Sequence, residues 1–496
     1  MVNKQDEQTT TQGKERQSQG PQSNGHAVTT PAYPDFGRSV RVVGQWESVD
    51  AATTPHEKNK RGELGKPLFN WYFNRTPKDP LARISFPQSA ADRRHTLQNA
   101  IRRARRGAVN PERIGVTDPQ ALTRHIKQVA RFFGADVVGI AAVHPAMIYS
   151  GNRAPDDGTG GQEGGAPPTP PSELAQNYPF AICLCTSWDY NLIQAHRHHI
   201  GDHAYHFSQA KLQLVYANLA AYIRELGYDV VQNRVQPMPA ALAGGVGELG
   251  RNGMLITEKF GARVHLGDPI LTNMPLIADQ PLDIGVEDFC KICRKCATTC
   301  PTNSISMEDK VVHNGVEKYK INWETCYRLR AYVLDFWEVC LTCVTVCPYT
   351  KPNTWWRTMA VESLTRTPLA LRPVAVKALK FLDDTFWGKV PRRRVKWLNY
   401  DSGIMPVKME HNGANASAAA EHGEPPDARS KVGYYYPLKE NTRRFEIMRD
   451  RAAQAKADGG KPGLIRPVPT IQSGMAVMSG ADDAPSAREG RSNNGH

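Results

Sequence analysis

The chain has 496 residues, with 62 Lys and Arg against 49 Asp and Glu and a net charge of +13. A composition of 40% apolar and 22% charged residues is that of a globular protein large enough for two or three domains, and it excludes a wholly disordered or fibrous chain. No run approaches the ~18 consecutive apolar residues of a membrane span, and the polar N-terminus lacks the apolar core of a secretory signal.

Residues 1–30, rich in Gln, Ser, Thr and Gly, are expected to be disordered. Residues 31–114 carry aromatic and proline punctuation ("PLFNWYFNRTPKDPLARISF") and are expected to wrap over a core built later. That core is expected over 115–283. A helix starts at Asp118–Pro119, an N-cap followed by a first-turn proline, with Leu122, Ile126, Val129 and Phe133 on one face and Gly134 as its stop. "DVVGIAAV" (136–143) reads as a buried strand. Residues 151–171 form a Gly/Pro loop, and "FAICLCT" (180–186) reads as a second buried strand in which Cys183 and Cys185 are inert core. A helix is expected over 208–226, and "GMLITEKFGARVHLG" (253–267) reads as two short strands around a turn. Residues 353–408 are expected to return to the core, and 409–496 to be linker and largely disordered tail. Alternating helices and strands followed by a compact cysteine module predict an α/β or α+β core with a ferredoxin-like domain over 284–352.

Eight of the ten cysteines lie between Cys290 and Cys347. "FCKICRKCATTCP" sets Cys290, Cys293, Cys296 and Cys300 at the C-x2-C-x2-C-x3-C-P spacing of bacterial [4Fe–4S] ferredoxins. Structural zinc prefers C-x2-C pairs separated by a longer loop. "CLTCVTVCP" adds Cys340, Cys343 and Cys347, and Cys326 stands between the runs. In two-cluster ferredoxins the fourth cysteine of a run ligates the other cluster. Cys290, Cys293, Cys296 and Cys347 are therefore expected around the first cluster, and Cys300, Cys326, Cys340 and Cys343 around the second. Basic concentrations at 93–106 and in "PRRRVKW" (391–397) admit three readings: a nucleic-acid surface, a docking face for an acidic electron carrier, or a solvated helix face.

The stretch "GGVGELGRNGMLITEKFGARVHLGDPI", the cysteine runs, "YPFAICLCTSWDYN", "LAAYIRELGY" and "CLTCVTVCPYTK" together resemble the reductive dehalogenases over residues 115–352. These are corrinoid iron–sulfur enzymes that replace a carbon–halogen bond with carbon–hydrogen. The resemblance implies a nitroreductase-like core holding base-off cobalamin, two [4Fe–4S] clusters relaying electrons to it, and an organohalide substrate, most simply a haloaromatic. It implies the cytoplasmic, catabolic type without an export signal. The reductant is then an external low-potential donor: a ferredoxin, a flavodoxin or a reductase. A nucleic-acid partner is not expected.

The resemblance also implies site residues. Tyr190 is the implied proton donor, with Arg251, 61 residues later, as its electrostatic partner and Asn218 and Thr186 lining the pocket. The turn Gly250, Arg251, Asn252, Gly253 is implied to approach the cofactor. Tyr205 in "GDHAYH" is the second candidate for the acid. Trp188, Phe336, Trp337 and Trp355 are candidates for a greasy pocket and equally for plain core. Two other functions fit parts of the pattern. An epoxyqueuosine reductase acting on tRNA shares the corrinoid and paired clusters, but its acidic donor segment is replaced here by Ala204–Tyr205. A plain two-cluster electron carrier does not need several hundred residues of core.

Overall fold

The computed structural model describes residues 32–64, 100–101, 103–151, 169–194, 199–300, 302–326 and 340–388. One compact unit runs from Pro34 onward and holds both the core and the cysteine module. Several expectations lie outside the described residues: the disordered 1–30, residues 65–99 of the wrapping region, the loop at 152–168, the basic stretch at 391–397, Phe336 and Trp337, and the tail.

A mixed sheet-and-helix core is built on strands β2 (Val137–Ala142) and β3 (Phe180–Ser187), which pair antiparallel from Val137–Cys185 to Ala142–Phe180. On the other edge of β3 run β7 (Val264–Leu266) and β8 (Ile270–Thr272), and β4 (Val230–Val231) follows β8. Every pairing is antiparallel, which makes the core α+β in arrangement. Both faces are nevertheless covered, so the strands read as continuous apolar runs rather than alternating ones. Ile182 and Leu184 face one layer, with Ile126 and Ala130 of α2 (Pro119–Phe132) and Leu212, Val215 and Leu219 of α5 (His199–Glu225). Cys183 and Cys185 face the other, against Ala240–Ala243 of α6 (Pro237–Ala243). Burial raises the pKa of both thiols far above the ordinary value, so they remain inert.

The start of α2 follows the sequence reading: Asp118 Oδ1 accepts from the Gln120 and Ala121 amides, each at 2.9 Å. α5 begins nine residues before the expected 208. Its first turns are His- and Tyr-rich and present no apolar stripe to read. Short helices α1 (Pro55–Lys60), α3 (Pro171–Asn177) and α4 (Tyr190–Gln194) complete this part.

The cysteine module follows the β5–β6 pair (Glu248–Leu249, Leu255–Ile256). It comprises α7 (Val286–Cys293), α8 (Lys295–Thr298), the hairpin β9–β10 (Val311–His313, Val316–Lys318) and α9 (Thr342–Thr345). The hairpin turns on Asn314–Gly315, both at positive φ, as a two-residue turn between right-twisted strands requires. β1 (Arg41–Val42) adds to β10, with Arg41 ion-paired to Glu317 at 2.7 Å. Helices α10 (Trp355–Arg366) and α11 (Arg372–Phe386) then pack against α7. Core and module meet without room for side chains at two glycines of positive φ. A Cβ on Gly253 would fall 2.1 Å from Ile321 Cδ1, and one on Gly261 would fall 2.3 Å from the Tyr349 carbonyl oxygen.

Candidate iron–sulfur and proton-donor sites

Cys290 and Cys293 stand one turn apart on α7, whose first amides are held by a buried carboxylate. Glu248 Oε2 accepts from Ile284 N at 2.7 Å and Val286 N at 3.1 Å. Arg294 then takes a left-handed conformation (φ 51°), which ends α7 and redirects the chain so that Cys296 on α8 turns back toward α7. Cys347, just past α9, closes the ring: it lines one small cavity together with Cys290, Cys293 and Cys296. The remaining four cysteines form a second group, in which the Cys343 thiol lies in the field of Cys340, Cys326 and Cys300. Proximity thus gathers the thiols into two sets of four, each drawing on both cysteine runs.

These thiols are expensive to keep together without a cation. Burial first, then mutual repulsion, pushes Cys293 up to about 12 and raises Cys290, Cys296 and Cys343 well above the ordinary thiol value. Backbone amides already donate to the sulfurs: Arg251 N to Cys290 Sγ at 3.4 Å, and Ser304 N to Cys300 Sγ at 3.3 Å. Thr302 Oγ1 lies 3.5 Å from Cys300 Sγ, and the Cys340 thiol donates to Thr342 Oγ1 at 3.5 Å. Among the described residues no three Cys, His, Asp or Glu side chains converge on a single-ion site. The donor set fits iron–sulfur clusters.

The turn Gly250–Gly253 belongs to this module. Arg251 is 1% exposed, and its guanidinium donates to the carbonyls of Cys290 (3.1 Å), Ser306 (2.9 Å) and Glu308 (2.7 Å) while lying 3.9 Å above the Tyr319 ring. Asn252 donates to the Cys343 carbonyl at 3.3 Å. One turn therefore braces both thiol groups. This corrects two expectations. Arg251 is directed at the cysteine module instead of pairing with Tyr190, because three carbonyls and a ring claim its guanidinium. The glycines are not an open cradle for a planar cofactor, because Ile321 and Trp323 fill the space at Gly253 and Ile256 that at Gly250.

Tyr190 opens α4 directly after β3. The segment before it is pinned by Arg263, whose Nη1 donates to the Trp188 carbonyl at 2.6 Å and whose own carbonyl accepts from Trp188 N at 2.9 Å. Tyr190 lies in the field of the Arg263 guanidinium. Thr186 is fully buried; its hydroxyl meets Ser208 O and Oγ, both at 2.8 Å, and locks β3 to α5. Its cross-strand neighbour is His265. Tyr205 of α5 joins the same group, 5.0 Å from His265, 5.3 Å from His206 and 5.9 Å from Trp188 between ring centres. Burial, helped by His206, lowers His265 to about 4 and keeps it neutral at pH 7. Asn218 does not join them. It is exposed on the outer face of α5 and donates back to the Leu214 carbonyl at 3.0 Å, the local bond a mid-helix Asn makes when nothing else claims it. Trp188 is core, and Trp355 is 74% exposed. Its neighbour Trp356 instead lines an apolar cavity of about 580 Å³ between α7, α10 and α11. Arg263, His206 and His265 were not singled out from sequence, where each is indistinguishable from a satisfied core residue.

Residues 289–351 match the 4Fe–4S dicluster domain. The tetrachloroethene reductive dehalogenase of Sulfurospirillum multivorans is 30% identical over 264 residues, 48% of this chain and 52% of that protein. A solved catabolic reductive dehalogenase, NpRdhA, in complex with 3-bromo-4-hydroxybenzoic acid, superposes with a TM-score of 0.59 at 22% identity, over 86% of this chain and 61% of that one. A reductive dehalogenase structure described as suggesting a mechanism for B12-dependent dehalogenation gives a TM-score of 0.58 at 22% identity, covering 85% and 61%. The chain spans about half the length of the curated relative, and the solved structures share its fold. The resemblance to reductive dehalogenases read from the sequence is borne out. Among the described residues no helix is long and apolar enough to cross a membrane.

Proposed function

We propose that this chain is a cobalamin-dependent reductive dehalogenase that removes halide from an organohalide, a haloaromatic by preference, with electrons relayed through two [4Fe–4S] clusters. The observation that carries the reading is the crossed gathering of eight thiols beside a core whose fold solved dehalogenases share. In this reading residues 115–283 are a nitroreductase-like, cobalamin-binding core and 284–352 the cluster domain. Cys290, Cys293, Cys296 and Cys347 hold one cluster, and Cys300, Cys326, Cys340 and Cys343 hold the other. The protein works in the cytoplasm and draws on an external low-potential donor.

Cobalamin, when bound in this core, would supply a low-valent cobalt centre for breaking the carbon–halogen bond. The chain's own residues supply the rest. The carbon that loses halide needs a proton, and a tyrosine hydroxyl with an ordinary pKa of about 10 keeps one at pH 7. Tyr190 is proposed as that donor, with Tyr205 as the alternative. Arg263 supplies the positive field that favours a phenolate at Tyr190. Thr186 keeps the end of β3, and so Tyr190, in register with α5. The test is anaerobic reconstitution with iron, sulfide and cobalamin, followed by halide release assayed over haloaromatics and haloalkenes. Protein that holds both clusters and cobalamin yet releases no halide from any of them overturns the proposal.

A further inference from the structure

Two buried ammonium groups flank the thiol ring of Cys290, Cys293, Cys296 and Cys347. Lys295 lies between Cys293 and Cys296 and is 4% exposed. Its Nζ is ion-paired to Asp383, lies 2.6 Å from Asp384 Oδ1 and donates to the Gly388 carbonyl at 3.1 Å. Lys351, four residues past Cys347, is 5% exposed; its Nζ sits 3.2 Å from Asp383 Oδ1 and 5.0 Å from the Trp387 ring centre. One carboxylate on α11, 7% exposed, thus bridges the two lysines nearest the ring.

Burying such a group costs desolvation that ion pairing only partly repays, so fastening α11 to the module does not by itself call for it. Apolar residues already do that: Val361, Leu364 and Val376 pack in one cluster with Val286 and Phe289. What charge adds here is a field at the sulfurs. Lys295 lines the same cavity as the four thiols, Lys351 follows Cys347 by four residues, and Asp383, paired with both lysines, carries the opposing charge. Reduction puts one more negative charge on a cluster, so a nearby cation favours it and a nearby anion disfavours it, most strongly in a poorly screened interior.

We propose that Asp383 is a positioning residue for electron transfer: by neutralising Lys351 and Lys295 it holds down the reduction potential of the cluster in the Cys290–Cys347 ring. This rests on the assignment of those thiols as cluster ligands, and iron content tests that assignment separately. The experiment is an EPR-monitored potentiometric titration of the full chain reconstituted anaerobically with iron and sulfide. Asp383→Asn should raise the midpoint of one cluster and Lys351→Met should lower it, with the other cluster unmoved and iron content unchanged. Asp383→Glu and Lys351→Arg should titrate like the wild type. Midpoints unchanged in both charge-removing variants, or both clusters moving together, overturn the proposal. So does loss of the cluster in all four variants, because the residues then serve only to hold the fold.

Discussion

Replacing Arg251 with Met removes a guanidinium that is 1% exposed and leaves the carbonyls of Cys290, Ser306 and Glu308 without the donor they share. Charge-assisted hydrogen bonds of this kind contribute about 1.5–3 kcal/mol each, and the contact above Tyr319, desolvated at 3.9 Å, adds about 2 kcal/mol. Relief of the buried charge returns part of that sum, so a net loss of about 3–5 kcal/mol is expected, the usual cost of breaking a buried charged network. Against a typical total of about 5–15 kcal/mol this is a large share. Because the bonds brace α7 at Cys290, the loss should appear first as iron: a chain that binds about eight iron when both cubanes form should fall toward about half of that. Arg251→Lys keeps the charge but not the planar fork, and should lie between. The assays are iron and sulfide content, cluster absorbance and urea unfolding, each read beside halide release. A Met variant with full iron and unchanged stability but no turnover would refute the reasoning and return Arg251 to the catalytic role its sequence position implied.

Tyr190→Phe should lower halide release by about 10²–10⁴-fold, the usual contribution of a general acid, with iron and cobalamin content intact; full activity there, with loss in Tyr205→Phe, assigns the proton to Tyr205. Cys326→Ala should damage one cluster and leave much of the other's EPR signal; undiminished iron would remove Cys326 from the ligand set. Glu248, which fastens the start of α7, is raised by burial to about 7 from an ordinary 4.5. With the folded value above the unfolded one, the stability it lends is fully present below about 4.5 and lost as pH rises through about 7, by about 3 kcal/mol at most. Glu248→Gln should accordingly gain on the wild type in urea unfolding between about pH 5 and 7, and parallel pH profiles over that range would contradict this.

What the sequence made legible was set by the range of the interaction. Cysteine spacing was readable because three of the thiols proposed to hold one cluster lie within seven residues, and the turn at Arg294 that aims them is local. The Asp118 cap and the two-faced burial of β3 were readable for the same reason. Asn218 was not, because an asparagine in mid-helix looks alike whether it faces a pocket or bonds back to Leu214. Arg251 was misread for a deeper reason. A guanidinium in a Gly-rich turn states that something close and electron-rich lies across from it, but which partner is decided by topology, and here the partners at Ser306 and Glu308 arrive from more than fifty residues away. The same long-range packing brings Arg263 to the segment holding Tyr190 and Asp383 to Lys295 and Lys351. Three of the four thiols proposed to hold the first cluster are thus written locally in this chain, and the fourth, Cys347, is brought to them by the fold. The charges around the clusters and the tyrosines are written in the fold, and it is there that differences in potential and proton supply among chains with the same cysteine spacing should be sought.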